Sequence, residues 1–335
     1  MFVNSLWSLV IAAALCATVA PLHAALLVYE PFDYVAGSEL TNLNGGEGFA
    51  GDWTGRNNSD GAVPATSTAI MGSSLAHPTH PGGLPTQGGS LLINGLSGTA
   101  EPAREFSAAA RAAISSSSTT WVSFLAQRQG ETTDPNTTNL PNNPYPRGVN
   151  VSFFRNDLAT NSEVVGLGNS SNATDNTWSI IPLGGGGNRE GSYDPAGGVQ
   201  GGGSTTVGAT TFPWENLQWA VFRIDHLAGN DNVYLWLSPD PTVEPSIASA
   251  NATILSTDTN AIDYSNIGAL RPFVGAQQGT VGAANWRPAG ELVLDELRVG
   301  TTYADMTRTS VIPEPSSLAL VSLTALALLS GRRRA

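Results

Sequence analysis

The sequence predicts an all-β chain, an antiparallel two-sheet jelly-roll sandwich with long loops. Three observations point there. Glycine and proline number 37 and 21 among 335 residues, a density that interrupts helices and marks turns. Runs of β-branched and aromatic residues recur between polar stretches, the pattern of short strands joined by loops. The chain is 41% hydrophobic, enough for a core, and only 13% charged, against about 25% in ordinary globular domains.

The elements follow in order. Leu26-Leu27-Val28-Tyr29-Glu30 opens the body as a strand, and Leu91-Leu92-Ile93 follows a glycine-rich turn. Trp121 to Ala126 and Val149 to Phe154 are aromatic and β-branched runs, with Val164 to Gly168 a weaker one. Trp219 to Asp225 and Val233 to Leu237 are strong runs. Gly229-Asn230-Asp231 lies between them, and these residues accept turn geometry, so the pair reads as a hairpin. The last strand is Glu291 to Val299. Glu101 to Ala113 reads as an alanine-rich helix, or as a strand followed by a helical turn. Two long polar loops, 131–147 and 184–203, separate strands; loops beyond about 15 residues are uncommon in compact domains. Strands at this spacing suit a single two-sheet sandwich over residues 26–305.

The ends differ from the body. Residues 1–25 read as a signal peptide, with an apolar stretch from Leu6 to Ala20 and small residues at Ala24 and Ala25. The single cysteine, Cys16, lies inside it. Cleavage would leave a body with no disulfide, thiolate nucleophile or cysteine-bound zinc. A linker, 306–315, carries Pro313-Glu314-Pro315, whose prolines keep the chain extended. Residues 316–335 read as a transmembrane helix with an arginine-rich sorting tail: the apolar run from Ser316 to Gly331 is about 24 Å long as a helix, set against a hydrocarbon core of about 30 Å. Arg332, Arg333 and Arg334 follow and orient the end toward the cytoplasm.

This tripartite end resembles the PEP-CTERM sorting signal of Gram-negative bacteria. Pro313, Glu314 and Pro315 match its recognition triplet, and Arg332 to Arg334 match its basic stop. The resemblance implies export across the inner membrane and processing by an exosortase-type enzyme. It also implies an exopolysaccharide-rich envelope, and a product that is membrane-anchored, surface-attached or released. A permanent tail anchor is the other reading. The body resembles concanavalin-like and laminin-G-like sandwiches. The resemblance rests on Tyr29 to Tyr34, Gly45 to Phe49 with Trp53, Trp121 to Leu125, the Asp225 hairpin and Leu294 to Gly300. That fold hosts lectins, polysaccharide-binding modules, glycosidases and lyases, so it does not select among them.

Charge and residue types narrow the chemistry. The net charge is −12, and no lysine occurs, so all 15 basic residues are arginine. Phosphate-driven nucleic-acid binding is excluded without a basic patch, and Schiff-base chemistry is excluded without lysine. No Gly-x-Ser-x-Gly elbow accompanies His226, and no Gly-Lys-Ser/Thr follows Gly184 to Gly187. His77 and His80 stand on a proline-bracketed loop with no third ligand.

A glycosidase needs two carboxylates across one cleft, about 5–9.5 Å apart. The Glu-x-Asp-x-Glu pattern of sandwich glucanases is absent. Regular alternation sends the adjacent Asp295 and Glu296 to opposite faces. It puts Asp295 with Val293, Leu297 and Val299, hence in the interior. A buried carboxylate needs a partner; a structural calcium held by Glu30, Asp33 and Asp295 is one answer, an arginine or backbone amides another. Trp121, Trp219 and Trp236 lie in strand runs and belong to the core. Tyr145, Trp178, Tyr193 and Trp214 lie in or beside loops and are the candidates for stacking on sugar. No catalytic set assembles. The expectation is a non-enzymatic, lectin-like or structural exported protein without an organic cofactor, with a polysaccharide hydrolase or lyase as the alternative.

Overall fold

The computed structural model describes residues 26–55, 68–80, 82–96, 98–129, 148–158, 163–169, 178–182, 216–258, 263–276 and 289–309. The expected signal peptide, the Pro-Glu-Pro triplet, the apolar run and the three terminal arginines lie outside them. Among the described residues, no helix is long and apolar enough to cross a membrane.

The described elements run β1 (Leu26–Glu30), β2 (Thr54–Gly55), β3 (Thr68–Met71), β4 (Ser90–Asn94), β5 (Pro102–Glu105) and α1 (Ala108–Ser116). There follow β6 (Thr119–Gln129), β7 (Val149–Arg155), β8 (Glu163–Asn169), β9 (Ser179–Pro182), β10 (Gln218–Asp225) and β11 (Asn232–Leu237). The last are β12 (Ala252–Ile254), β13 (Ile267–Val274) and β14 (Glu291–Gly300). One sheet has the order β12-β11-β10-β6-β14-β4-β3, with β1 also on β14. The other has the order β2-β5-β13-β7-β8-β9. Pairing is antiparallel throughout. This is the expected jelly-roll sandwich.

The alanine-rich stretch divides as the second reading expected, into β5 and then α1. Ser107 caps the helix by accepting from the Ala110 amide at 3.2 Å. This satisfies one of the donors that a helix start leaves open. Ala110 and Ile114 face inward.

Each face of the first sheet is apolar for its own reason. Val122, Phe124 and Ala126 of β6 share a face with Ala220, Phe222 and Ile224 of β10. Phe124 meets Trp178, just before β9, at 6.1 Å, so this face looks onto the second sheet. The opposite face carries Trp121, Leu125, Trp219, Val221, Tyr234 and Trp236. A second layer covers it: Leu75 and Leu84 from the β3–β4 connection, and Tyr303 and Met306 from the 3-10 turn Tyr303–Thr307. Trp121 stacks on Trp236 at 5.7 Å and meets Tyr303 edge-on at 5.4 Å.

β14 is the strand that positions the site. β6 pairs along one edge, while β4 takes the first half of the other edge and β1 the second half. Its register against β6 slips. Asp295 opposes Leu125, but Arg298 opposes Ser123, so two β14 residues face one of β6. This is a β-bulge, with Glu296 at its centre at φ +55°. The expected alternation is therefore wrong beyond Asp295. The extra residue turns Leu297 and Val299 to the inner face and sends Arg298 outward with Asp295.

Candidate functional site

The bulge gathers four ionisable side chains beneath one loop. Asp295, Glu296 and Arg298 are each 0% exposed, and Tyr29 is 2% exposed. Tyr29 comes from β1, opposite Arg298 in the ladder. Its hydroxyl donates to Glu296 Oε2 at 2.9 Å. Arg298 pairs with the same carboxylate, and its guanidinium lies 5.0 Å from the Tyr29 ring centre. It also donates to the carbonyls of Pro85, at 2.7 Å, and Arg308, at 2.6 Å.

The β3–β4 connection closes over both acids. The Leu75 amide donates to Asp295 Oδ2 at 2.7 Å, and the Gln87 amide donates to Glu296 Oε1. The Glu296 amide itself donates to Asp295 Oδ1 at 2.7 Å. The adjacent acids therefore serve one loop rather than opposite faces of the sheet. Burial, and then the nearby Glu296, push the Asp295 carboxyl up to about 8. Burial also raises Glu296, opposed by Arg298.

The expected calcium trio does not form. β1 pairs Glu30 with Leu297, which places it on the inner face, whereas Asp295 is on the outer face. Asp33 is exposed. Glu30 instead accepts from Arg104 at 2.8 Å, Trp53 Nε1 at 3.0 Å, the Tyr34 hydroxyl at 2.9 Å and the Phe32 amide at 3.0 Å. Among the described residues, no group of three or more His, Cys, Asp or Glu side chains could hold a metal.

Of the four sugar-stacking candidates, Trp178 alone lies among the described residues. Trp178 is 0% exposed and packs inside the sandwich, because the residues after it enter β9 directly. Tyr145, Tyr193 and Trp214 lie outside the described residues. His77 is a packing residue, edge-on to Trp219 at 5.3 Å. Its Nδ1 accepts from the Thr79 and His80 amides at 3.2 and 3.0 Å.

Two further polar clusters escaped the sequence. Arg271 of β13 bridges Glu101, at 3.3 Å, and Glu163, with the Phe273 ring centre 4.9 Å from its guanidinium. Thr120 Oγ1 lies 2.9 Å from His226 Nε2, and His226 Nδ1 lies 3.2 Å from Asp231. That order of hydroxyl, imidazole and carboxylate resembles a hydrolytic triad. Thr120 is fully buried, however, and Asp231 is occupied by the Leu227 and Tyr264 amides at 2.8 Å each. The set pins the β10–β11 hairpin to β6.

The fold and these clusters define a two-sheet jelly-roll sandwich stapled by buried ion pairs. No family model matches the chain, and no curated protein matches it. Similar solved structures include an endo-1,3-beta-glucanase from Streptomyces sioyaensis, 14% identical, with TM-score 0.44 over 84% of this chain and 98% of that one. The botulinum neurotoxin serotype C1 binding domain is 9% identical, with TM-score 0.36 over 80% of this chain and 50% of that one. An alginate lyase solved with an alginate tetrasaccharide is 10% identical, with TM-score 0.32 over 71% and 97%.

Proposed function

We propose that this chain is an exported protein of the bacterial envelope or extracellular matrix, with a non-catalytic, lectin-like or structural sandwich. In this reading the N-terminal segment directs export. The tail at Pro313-Glu314-Pro315 is then recognised by an exosortase-type enzyme, with Arg332 to Arg334 holding its end at the cytoplasmic face. The partners are that enzyme, the membrane before processing, and polysaccharide.

One observation carries the non-catalytic part. Each buried carboxylate among the described residues is engaged by an arginine, by backbone amides, or by both. Glu101 and Glu163 meet Arg271, and Glu30 meets Arg104. Asp231, Asp295 and Glu296 accept amides of the segments they anchor. Asp305 caps its own turn through the Thr302 amide at 2.9 Å and the Thr301 amide at 3.1 Å. A general acid or base needs reach to a substrate proton, and these groups spend their acceptors inside the fold.

Two measurements test the reading. Full-length chain in a Gram-negative host with an exosortase is expected to lose its tail, by intact mass, while a Pro313→Ala, Glu314→Ala, Pro315→Ala variant keeps it. Equal processing of both would end the sorting proposal. Incubation with β-glucans and alginate is expected to release no new ends. Reproducible turnover would favour the hydrolase or lyase alternative.

A further inference from the structure

Two connections meet over the outer face of the first sheet, and one imidazole joins them. The β3–β4 connection comes from one edge of the sheet and the β11–β12 connection from the other. His77 of the first is 2% exposed, and its Nε2 lies 3.2 Å from the Pro239 carbonyl oxygen of the second. The chain beyond it rests on Pro241, since a Cβ at Gly83 would lie 3.0 Å from Pro241 Cγ. The partners fix the hydrogens on the ring. A backbone amide only donates, so Nδ1, which accepts from the Thr79 and His80 amides at 3.2 and 3.0 Å, carries a lone pair. A carbonyl only accepts, so Nε2 carries the hydrogen. The ring is the neutral Nε2–H tautomer, with neither nitrogen free for a metal. A further proton can enter only at Nδ1, where it takes the acceptor from both amides.

The charges nearby do not offset that cost. The ring's own connection supplies His80, at 5.1 Å between ring centres, and β10 presents the uncharged Trp219. The β11–β12 connection supplies Asp240, whose carboxylate lies 4.0 Å from His80 Nε2. The turn after β14 supplies the Tyr303 phenol, which donates to the Asp240 carbonyl at 2.6 Å. The Thr242 hydroxyl and amide donate to Asp240 Oδ1 at 2.7 and 2.8 Å and hold that carboxyl below the usual range, so it stays ionised in mild acid. Burial lowers His77, as a cation there would lie in a site nearly closed to water.

We propose that His77 is an acid-sensitive latch: neutral, it ties the β3–β4 connection to the β11–β12 connection, and a proton at Nδ1 releases residues 77–80 and parts the two connections over Trp219. Release frees the Thr79 and His80 amides and the Pro239 carbonyl, and leaves the strands of the sheet paired. It also uncovers the side of Trp219 that the imidazole now meets edge-on at 5.3 Å. Trp219 has a buried indole N–H with no acceptor among the described residues, so the closed state already holds an unpaired donor at this point. A free imidazole, near about 6.5, binds a proton more tightly than the latched one. The latch is therefore whole above that value and is lost as pH falls below it.

Hydrogen exchange at the Thr79 and His80 amides of the full chain tests this in mild acid, corrected for intrinsic rates. Protection is expected to fall about tenfold per pH unit below about 6.5, while amides of β10 stay protected. Protection of the two amides that stays flat in acid overturns the proposal. Nitrogen chemical shifts of the His77 ring at neutral pH are expected to report the Nε2–H tautomer, and an Nδ1–H ring also overturns it. His77→Asn sets an amide oxygen that takes no proton near the place of Nδ1 and is expected to lose the pH dependence; a slope that survives in it counts against the latch. His80→Gln is expected to keep the slope, and its loss there would assign the titration to His80 instead.

Discussion

Tyr29 and Arg298 sit opposite each other on neighbouring strands and meet on one carboxylate, that of Glu296. The phenol donates to it, the guanidinium pairs with it, and the guanidinium lies against the phenol ring. The arrangement joins the first strand of the sandwich to the last through side chains as well as the ladder.

Removing one partner of this buried pair leaves the other charge without compensation. Arg298→Ala is expected to cost about 3–5 kcal/mol in denaturant unfolding at pH 7. The double variant Arg298→Met with Glu296→Gln should recover part of that loss. If the double variant is no more stable than the single one, Glu296 does not depend on Arg298 for its charge.

Glu30 and Arg104 form the corresponding staple between the sheets, since Arg104 belongs to β5 and Glu30 to β1. Arg104 also holds the Gly45 carbonyl at 2.7 Å and Asn44 Oδ1 at 2.8 Å. Arg104→Ala is therefore expected to cost about 3–5 kcal/mol and to expose the amides of residues 42–53 to exchange. Loss of stability with unchanged exchange there would assign Arg104 to the ion pair alone.

Trp178 is a core residue. Trp178→Ala should cost about 3–5 kcal/mol, as for other buried aromatics, and leave glycan binding, where present, unchanged at temperatures where the variant is folded. Near-wild-type stability, by thermal melting, would place its ring at the surface after all.

Glycine is required at position 48 for space as well as angle. It has φ +81°, and an added Cβ would lie 2.0 Å from the Leu27 carbonyl oxygen. The adjoining Glu47 exchanges backbone hydrogen bonds with Tyr29 at 2.8 and 3.0 Å, so the segment lies directly on β1. Gly229, in the hairpin, has φ +109° with nothing within 4 Å of its Cβ position. Gly229→Ala should cost about 1–2 kcal/mol, and Gly48→Ala distinctly more. Equal melting temperatures for the two variants would contradict the close approach.

Strands whose apolar residues run together were legible before folding: β1 matches its reading residue for residue, and β6, β10, β11 and β14 differ only at their ends. β13 was not, because Pro272 in its middle argues against a central strand. The paired Ala100 and Val274 and the paired Arg104 and Leu270 share one register. Continued between them, it puts Pro272 opposite Pro102, so both missing donors fall on one rung. The acid in the apolar run of β14 pointed to the burial of Asp295, which is 0% exposed, but the geometry around it was hidden. A bulge depends on the partner strand, and nothing near Glu296 in sequence announces the slip. The loop partners Leu75 and Gln87 contribute backbone amides, which leave no residue signature.

Arg298 also grips the carbonyl of Arg308, just beyond the turn Tyr303–Thr307, while the Tyr303 hydroxyl donates to the Asp240 carbonyl at 2.6 Å. β14 is bonded along both edges, so a pull on the chain after residue 309 enters the middle of the eight-stranded sheet. It does not reach a peripheral strand that could peel. A domain tethered or tugged through its C-terminal end would thus carry mechanical load on its most heavily braced strand, and the guanidinium would be the first latch to bear it.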